Sequence, residues 1–72
     1  MHAMGKEIRY IIGSNIRKLR IKKGLTQVAL SELSQVKYKY LQQIEGKNPP
    51  NLRADTLARI AKALKIPASK LL

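Results

Sequence analysis

Residues 31–46 read SELSQVKYKYLQQIEG, and the way this stretch divides decides the fold. Two short apolar-spaced segments meet at Gln35-Val36. With about 100° of rotation per residue around a helix axis, the second segment places Tyr40, Leu41 and Ile44 on one face. Tyr38, Lys39, Gln42 and Gln43 fall on the other. The spacing predicts a helix from near Lys37 to Glu45, closed by Gly46 and the turn-rich GKNPPN. Such a helix has an apolar face to bury and a polar, amide-rich face to present.

Just upstream, Thr26 stands where its hydroxyl can cap a helix over QVALSEL. No Glu or Gln follows three residues later, so the cap lacks a capping box. The expected inward set is Val28 or Ala29, with Leu30 and Leu33. Two helical turns are unstable alone and must be held by packing.

Further toward the N-terminus, IIGSNIRKLRIKKG (11–24) carries Ile12, Ile16 and Leu19 at helical spacing, with Ile11 beside them and Gly24 as a terminator able to adopt positive φ. A helix is expected from Ile11 or Ser14 to Lys23, its other face bearing Arg17, Lys18, Arg20, Lys22 and Lys23 without an acid. The Gly13-Ser-Asn triplet is isolated and does not make a phosphate-binding loop. Residues 1–10 read as an N-terminal arm, its Met1–Met4 opening either a cloning remnant or an alternative start, and residues 11–72 as the domain. Lys6–Tyr10 is too short to assign as an edge strand.

On the C-terminal side, Pro49-Pro50 forbids helical continuation. ADTLARIAKALK resumes the period through Leu57, Ile60, Ala61 and Leu64, with Asp55 near the positive helix end. Ile66-Pro67 breaks it, and ASKLL is expected to form a last short helix. The prediction is an all-α chain of five helices, in the order long, short, short, medium, short.

A chain of 72 residues supports one small domain without a deep catalytic cleft. Tyrosine supplies its only aromatics, so the core is expected to be aliphatic. Fifteen Lys plus Arg against 4 Asp plus Glu gives a formal charge of +11, a field that draws polyanions, nucleic acid first among them. Absence of cysteine removes disulfides, thiolate chemistry and most structural zinc sites. The dispersed acids offer no nucleophile and base pair and there is no nucleotide loop, so no enzyme and no cofactor are expected. His2 has no partners at metal-ligand spacing. The apolar runs are too short to span a bilayer and no cleavable leader is visible, which makes the cytoplasm the expected compartment.

A helix exposing Gln, Lys and Tyr has a use in the major groove of B-DNA. Gln bonds adenine N6 and N7 in pairs, and Lys donates to guanine O6 or N7. The preceding helix then crosses the backbone and presents its first-turn N–H groups, near Gln27, to a phosphate. Arg17, Lys18, Lys22 and Lys23 are candidates to approach phosphate as that helix docks. Tyr38 either packs on a sugar-phosphate edge or merely covers its helix.

Taken in order, NIRKLRIKKGLTQ, QVALSELSQVKYKYLQQIEG and TLARIAKALKIPASKLL resemble the Cro/C1-type (XRE-like) helix-turn-helix domains of phage repressors and bacterial regulators. The likeness runs from about Ile12 to Leu71. It implies a compact lambda-repressor-like domain that binds double-stranded DNA in sequence-specific fashion. It further implies Gln27 as a phosphate contact, Tyr38, Lys39 and Gln43 facing bases with Gln42 less regularly so, and Lys37 at a phosphate. Core positions then fall on Leu30, Val36, Leu41 and Ile44. The resemblance also pairs Arg20 with Glu45 to hold the reading helix, and leaves Arg20 a possible second role at phosphate. Three positions depart from the pattern. Ser31 occupies the usual small position, Gln35 replaces the usual turn glycine, and Gly46 follows Glu45 directly, so the loop carrying Lys47, another candidate phosphate contact, is expected to differ. Gln35 either takes positive φ at a cost or the turn uses ordinary angles.

A transcriptional repressor acting as a homodimer on a pseudo-palindromic operator is the leading expectation. The dimer contact is expected near the end of the fourth helix and in the last, around Ile66, Leu71 and Leu72. The alternative is an antitoxin or interaction module with a toxin or other regulatory protein as partner. RNA is favoured by charge but by no stacking platform.

Overall fold

The structure, a computed structural model, describes residues 5–72. The cloning-remnant or alternative-start reading of Met1–Met4, and the reading of His2, lie outside the described residues. Helix α1 spans Lys6–Lys22, α2 Gln27–Ser34, α3 Tyr38–Ile44 and α4 Ala54–Leu64, and a 3-10 helix, Ala68–Leu71, follows. The chain is all-α, with no strand among the described residues.

α1 begins at Lys6, well before the expected Ile11 or Ser14, so Lys6–Tyr10 is helix and not an arm. Nothing in KEIRY breaks a helix. Once α1 is nucleated by its packed half, each further residue adds a hydrogen bond without repeating the nucleation cost. Arg9 N–H donates to the Gly5 carbonyl at 3.0 Å, and Glu7 lies in the first turn, where the helix dipole favours an acid. Gly13 does not interrupt the helix. It is buried, and a Cβ built there would fall 2.0 Å from the Ile44 carbonyl oxygen, so the glycine is what lets α1 lie against the end of α3.

The C-terminus of α1 is closed by Gly24 at φ 72. Gly24 N–H donates to Ile21 O at 2.9 Å and Leu25 N–H to Arg20 O at 3.0 Å, the paired bonds of a left-handed helix stop. α4 ends the same way, with Lys65 at φ 59 in the place usually held by glycine.

α2 is capped by Thr26, whose Oγ1 accepts from Ala29 N–H at 3.0 Å. Its inward face differs from expectation. Leu30, Ser31 and Ser34 are buried, whereas Val28 is 49% and Leu33 61% exposed. The serines are admitted because each bonds within its own helix, Ser31 Oγ to Val28 O and Ser34 Oγ to Leu30 O, both at 2.7 Å. Small side chains at these positions give α2 a slim face toward the two helices it packs on, α3 and α4. Gln35 takes φ 60 and ψ 30, so the turn does place a non-glycine residue in the left-handed region, at about 1–2 kcal/mol relative to glycine.

The core joins all five helices. Ile12 and Ile16 from α1, Leu30 from α2, Leu41 and Ile44 from α3, Ile60 and Leu64 from α4, and Leu71 from the 3-10 helix are buried together with Val36 and Leu52. Leu71 was expected to leave apolar area open, yet it is 1% exposed. The 3-10 helix turns it onto α1, where Asn15 Nδ2 donates to Leu71 O at 3.0 Å. The loop between α3 and α4 is tied by Tyr40, whose hydroxyl donates to Asn51 O at 3.2 Å. Among the described residues no helix is long and apolar enough to cross a membrane.

Candidate nucleic-acid interface

α3 is held from behind at its C-terminal end. The Arg20 guanidinium grips Glu45 through two parallel bonds, Nε to Oε2 and Nη2 to Oε1, each 2.9 Å. Its third nitrogen donates to Leu25 O at 2.8 Å. The Glu45 side chain is 2% exposed and takes a further bond from Gln27 Nε2 at 3.1 Å. One carboxylate therefore gathers α1, the first residue of α2 and the C-terminal cap of α3. Two-pronged arginine bonding fixes orientation as well as distance, and removal of either partner leaves a charge stranded in the interior.

Arg20 is buried with all three guanidinium nitrogens turned inward. Three of its five N–H donors are spent on Glu45 and Leu25, so the role the structure gives Arg20 is to orient α3. The remaining basic candidates, Arg17, Lys18, Lys22, Lys23, Lys37 and Lys47, are all exposed. They do not form one cluster. Lys22 and Lys23 border a depression of about 580 Å³ with Leu19, Ile66 and Lys70, while Lys47 stands beside Lys6, Tyr10 and Ile11. These groups lie toward opposite ends of α1, a helix about 24 Å long at 1.5 Å per residue.

The outer face of α3 carries Tyr38, Lys39, Gln42 and Gln43, all exposed, while Leu41 and Ile44 are fully buried. Tyr38 is 42% exposed, and its hydroxyl accepts from Gln42 Nε2 at 3.1 Å. This bond stiffens two of the four outward side chains. Lys37 is the residue before the helix and offers its ammonium at the N-terminal edge of the same face. At the start of α2 the Thr26 cap takes Ala29 N–H, which leaves the amides of Gln27 and Val28 as first-turn donors without an intrahelical acceptor. Such a pair of N–H groups at a positive helix end suits a phosphate oxygen.

Sequence reasoning did not anticipate three contributors. Gly13 passed as an isolated triplet because its role is a contact with Ile44, far along the chain. The bond from Gln27 to Glu45 was missed for the same reason. Lys6 and Tyr10, assigned to the arm, join Lys47 only because α1 is longer than its apolar period. Among the described residues there is no group of three side chains suited to a metal.

A family model described as Helix-turn-helix domain matches residues 13–72. Among solved structures, the chain is similar to the restriction-modification controller protein C.AhdI from Aeromonas hydrophila at 30% identity and a TM-score of 0.83, over 89% of this chain and 96% of that one. It is similar to the clp gene regulator ClgR from Corynebacterium glutamicum at 28% identity and TM-score 0.82, over 89% and 67%. It also resembles a hypothetical transcription factor, NHTF, from Neisseria at 25% identity and TM-score 0.84, over 100% and 83%. No curated protein sequence matches. With α2 and α3 set as two short helices around a left-handed turn and α3 presenting a polar face outward, the chain belongs to the helix-turn-helix domain family and is a DNA-binding transcriptional regulator of the Cro/C1 (XRE-like) type.

Proposed function

We propose that this regulator is a repressor that binds a pseudo-palindromic operator as a twofold dimer, with Lys39 and Gln43 reading base edges and Tyr38 and Gln42 lining the same groove. The observation that carries the reading is the division of α3 into a clamped inner face and a free outer face. The outer groups match major-groove chemistry, Gln as paired donor and acceptor and Lys as donor. The amides of Gln27 and Val28, with Lys37, Lys47, Arg17, Lys18, Lys22 and Lys23, meet phosphates and set register without reading sequence. The Gln27 side chain reaches phosphate only by leaving Glu45 or by donating the second N–H of Nε2, since the first is held by Glu45.

One seven-residue α3 contacts few base pairs. Two copies about 34 Å apart reach successive turns of the same groove and double the readout. With Leu71 buried, the apolar residues left for a dimer contact at this end are Leu72, 74% exposed, and partly buried Ile66. Occupation of an operator blocks polymerase without any further part, so repression is the simplest output of this domain.

Selection of bound duplexes from a random pool, followed by sedimentation of the protein with the recovered site, tests the reading. It expects an inverted repeat bound by two chains. A recovered site without internal symmetry, bound by a single chain at high protein concentration, overturns the dimer.

A further inference from the structure

Behind the turn between α2 and α3 lies an open groove of about 420 Å³, formed by the C-terminal end of α2 and the second half of α4. Its lining includes Leu33, Gln35, Arg59, Lys62, Ala63 and Lys65. Three observations distinguish it from ordinary basic surface. Leu33, 61% exposed, is the largest apolar side chain in the lining, while the charged groups around it are Arg59, Lys62 and Lys65, with no acid. Second, the left-handed stops of α2 and α4, Gln35 and Lys65, both line this groove, so two helix ends converge on it. Third, the lining contains no residue of α3, and Leu33 lies about 120° around the α2 axis from Gln27. A protein reading DNA through α3 therefore keeps Leu33 clear of the duplex.

We propose that this groove docks an acidic peptide segment of a partner protein, an apolar side chain of the segment resting on Leu33 and Ala63 while its carboxylates meet Arg59, Lys62 and Lys65. An apolar anchor inside a charged rim is the usual layout of such a site. Charge complementarity selects this occupant. DNA would meet the cations but gains nothing from an exposed leucine. A second copy of the chain brings formal charge +11 and only four acids, of which Glu45 is buried, so like charge opposes its approach to this basic rim.

The test is selection from a displayed random-peptide library on the folded wild-type protein, with counter-selection on the double variant Leu33→Ser/Lys62→Glu. Both positions are exposed, and should this variant melt below wild type, Leu33→Gln, which leaves the charge unchanged, takes its place with the same expected loss. Expected are peptides rich in Asp and Glu around one large apolar residue, bound at least about ten-fold more weakly by the variant and shifting the amide resonances of Leu33, Gln35, Arg59 and Lys65. Failure to enrich any peptide overturns the proposal, as does enrichment insensitive to the double variant. If a random duplex shifts the same groove resonances, the groove is DNA surface. If the variant sediments as a smaller species than wild type, it is a contact between copies. Either result overturns the peptide assignment, and neither bears on the reading face of α3.

Discussion

Replacing Gly13 with alanine sets two physical effects against each other. Alanine in a helix interior is favoured over glycine by about 1 kcal/mol, so α1 taken alone predicts a more stable protein. The built Cβ, however, lies 2.0 Å from Ile44 O and 3.1 Å from Ile44 C. Both are backbone atoms and cannot rotate aside. α1 and α3 must part until the contact reaches at least 3.4 Å, the start of ordinary van der Waals distance. That movement loosens Ile12 and Ile16 against Leu41 and Ile44 and stretches the 2.9 Å bonds from Arg20 to Glu45. Overpacking costs about 1–3 kcal/mol, and weakening a charge-assisted pair adds roughly 1.5–3 kcal/mol. After the helical gain is subtracted, the expected net loss is about 1.5–5 kcal/mol. A domain of this size has roughly 4–11 kcal/mol in total, so the melting temperature should fall by roughly 6–40 °C. Urea and thermal unfolding followed by far-ultraviolet circular dichroism measure it, with Ser14→Ala as the control for helix propensity, expected to be neutral or slightly stabilising. A Gly13→Ala protein as stable as wild type, or more so, would refute the close approach of α1 and α3.

Arg20→Ala should lose about 3–5 kcal/mol by stranding Glu45 and weaken binding to every duplex, whereas the paired replacement Arg20→Met/Glu45→Leu should unfold at higher urea than the single variant. Gln35→Gly should stabilise by about 1 kcal/mol through release of the left-handed strain, read as a raised urea midpoint with an unchanged slope. Gln43→Ala should unfold like wild type yet lose about 1–3 kcal/mol on the selected operator and almost nothing on a scrambled duplex in a competition assay. Equal losses on both would remove Gln43 from the reading set. Replacing Lys22 and Lys23 together with alanine should lower the salt-dependence slope of DNA binding by nearly two units per bound chain; an unchanged slope would assign both to solvated surface.

The helix order was legible because Gly24, Gly46, Pro49-Pro50 and Pro67 break the chain between apolar periods, while the boundary of α2 and α3 showed only as two apolar-spaced stretches meeting at Gln35-Val36. The start of α1 was not legible, because helix propagation needs no apolar period, only the absence of a breaker. The register of α2 misled for a different reason. Hydrophobicity points to Leu33, but Ser31 and Ser34 are buried in its stead, satisfied by their own helix, and an eight-residue helix holds too few positions for the pattern to correct itself. Whether Gln35 is left-handed was open on chemistry alone, since either turn closes the chain. The outer face of α3 stood out because apolar and polar residues segregate cleanly there. The pairing of Arg20 with Glu45 came from family resemblance and not from periodicity, which sees neither long-range bonds nor the burial of a charge.

The separation of the two faces of α3 has an evolutionary consequence. Leu41, Ile44 and the cap Glu45 hold the helix in place, while Tyr38, Lys39, Gln42 and Gln43 contribute nothing to the core. A substitution at any of these four outward positions is nearly silent for folding, so if they read bases as proposed, the site a lineage recognises can drift one residue at a time without passing through an unfolded intermediate. On that reading, domains with interchangeable interiors come to serve unrelated genes through a handful of exposed side chains.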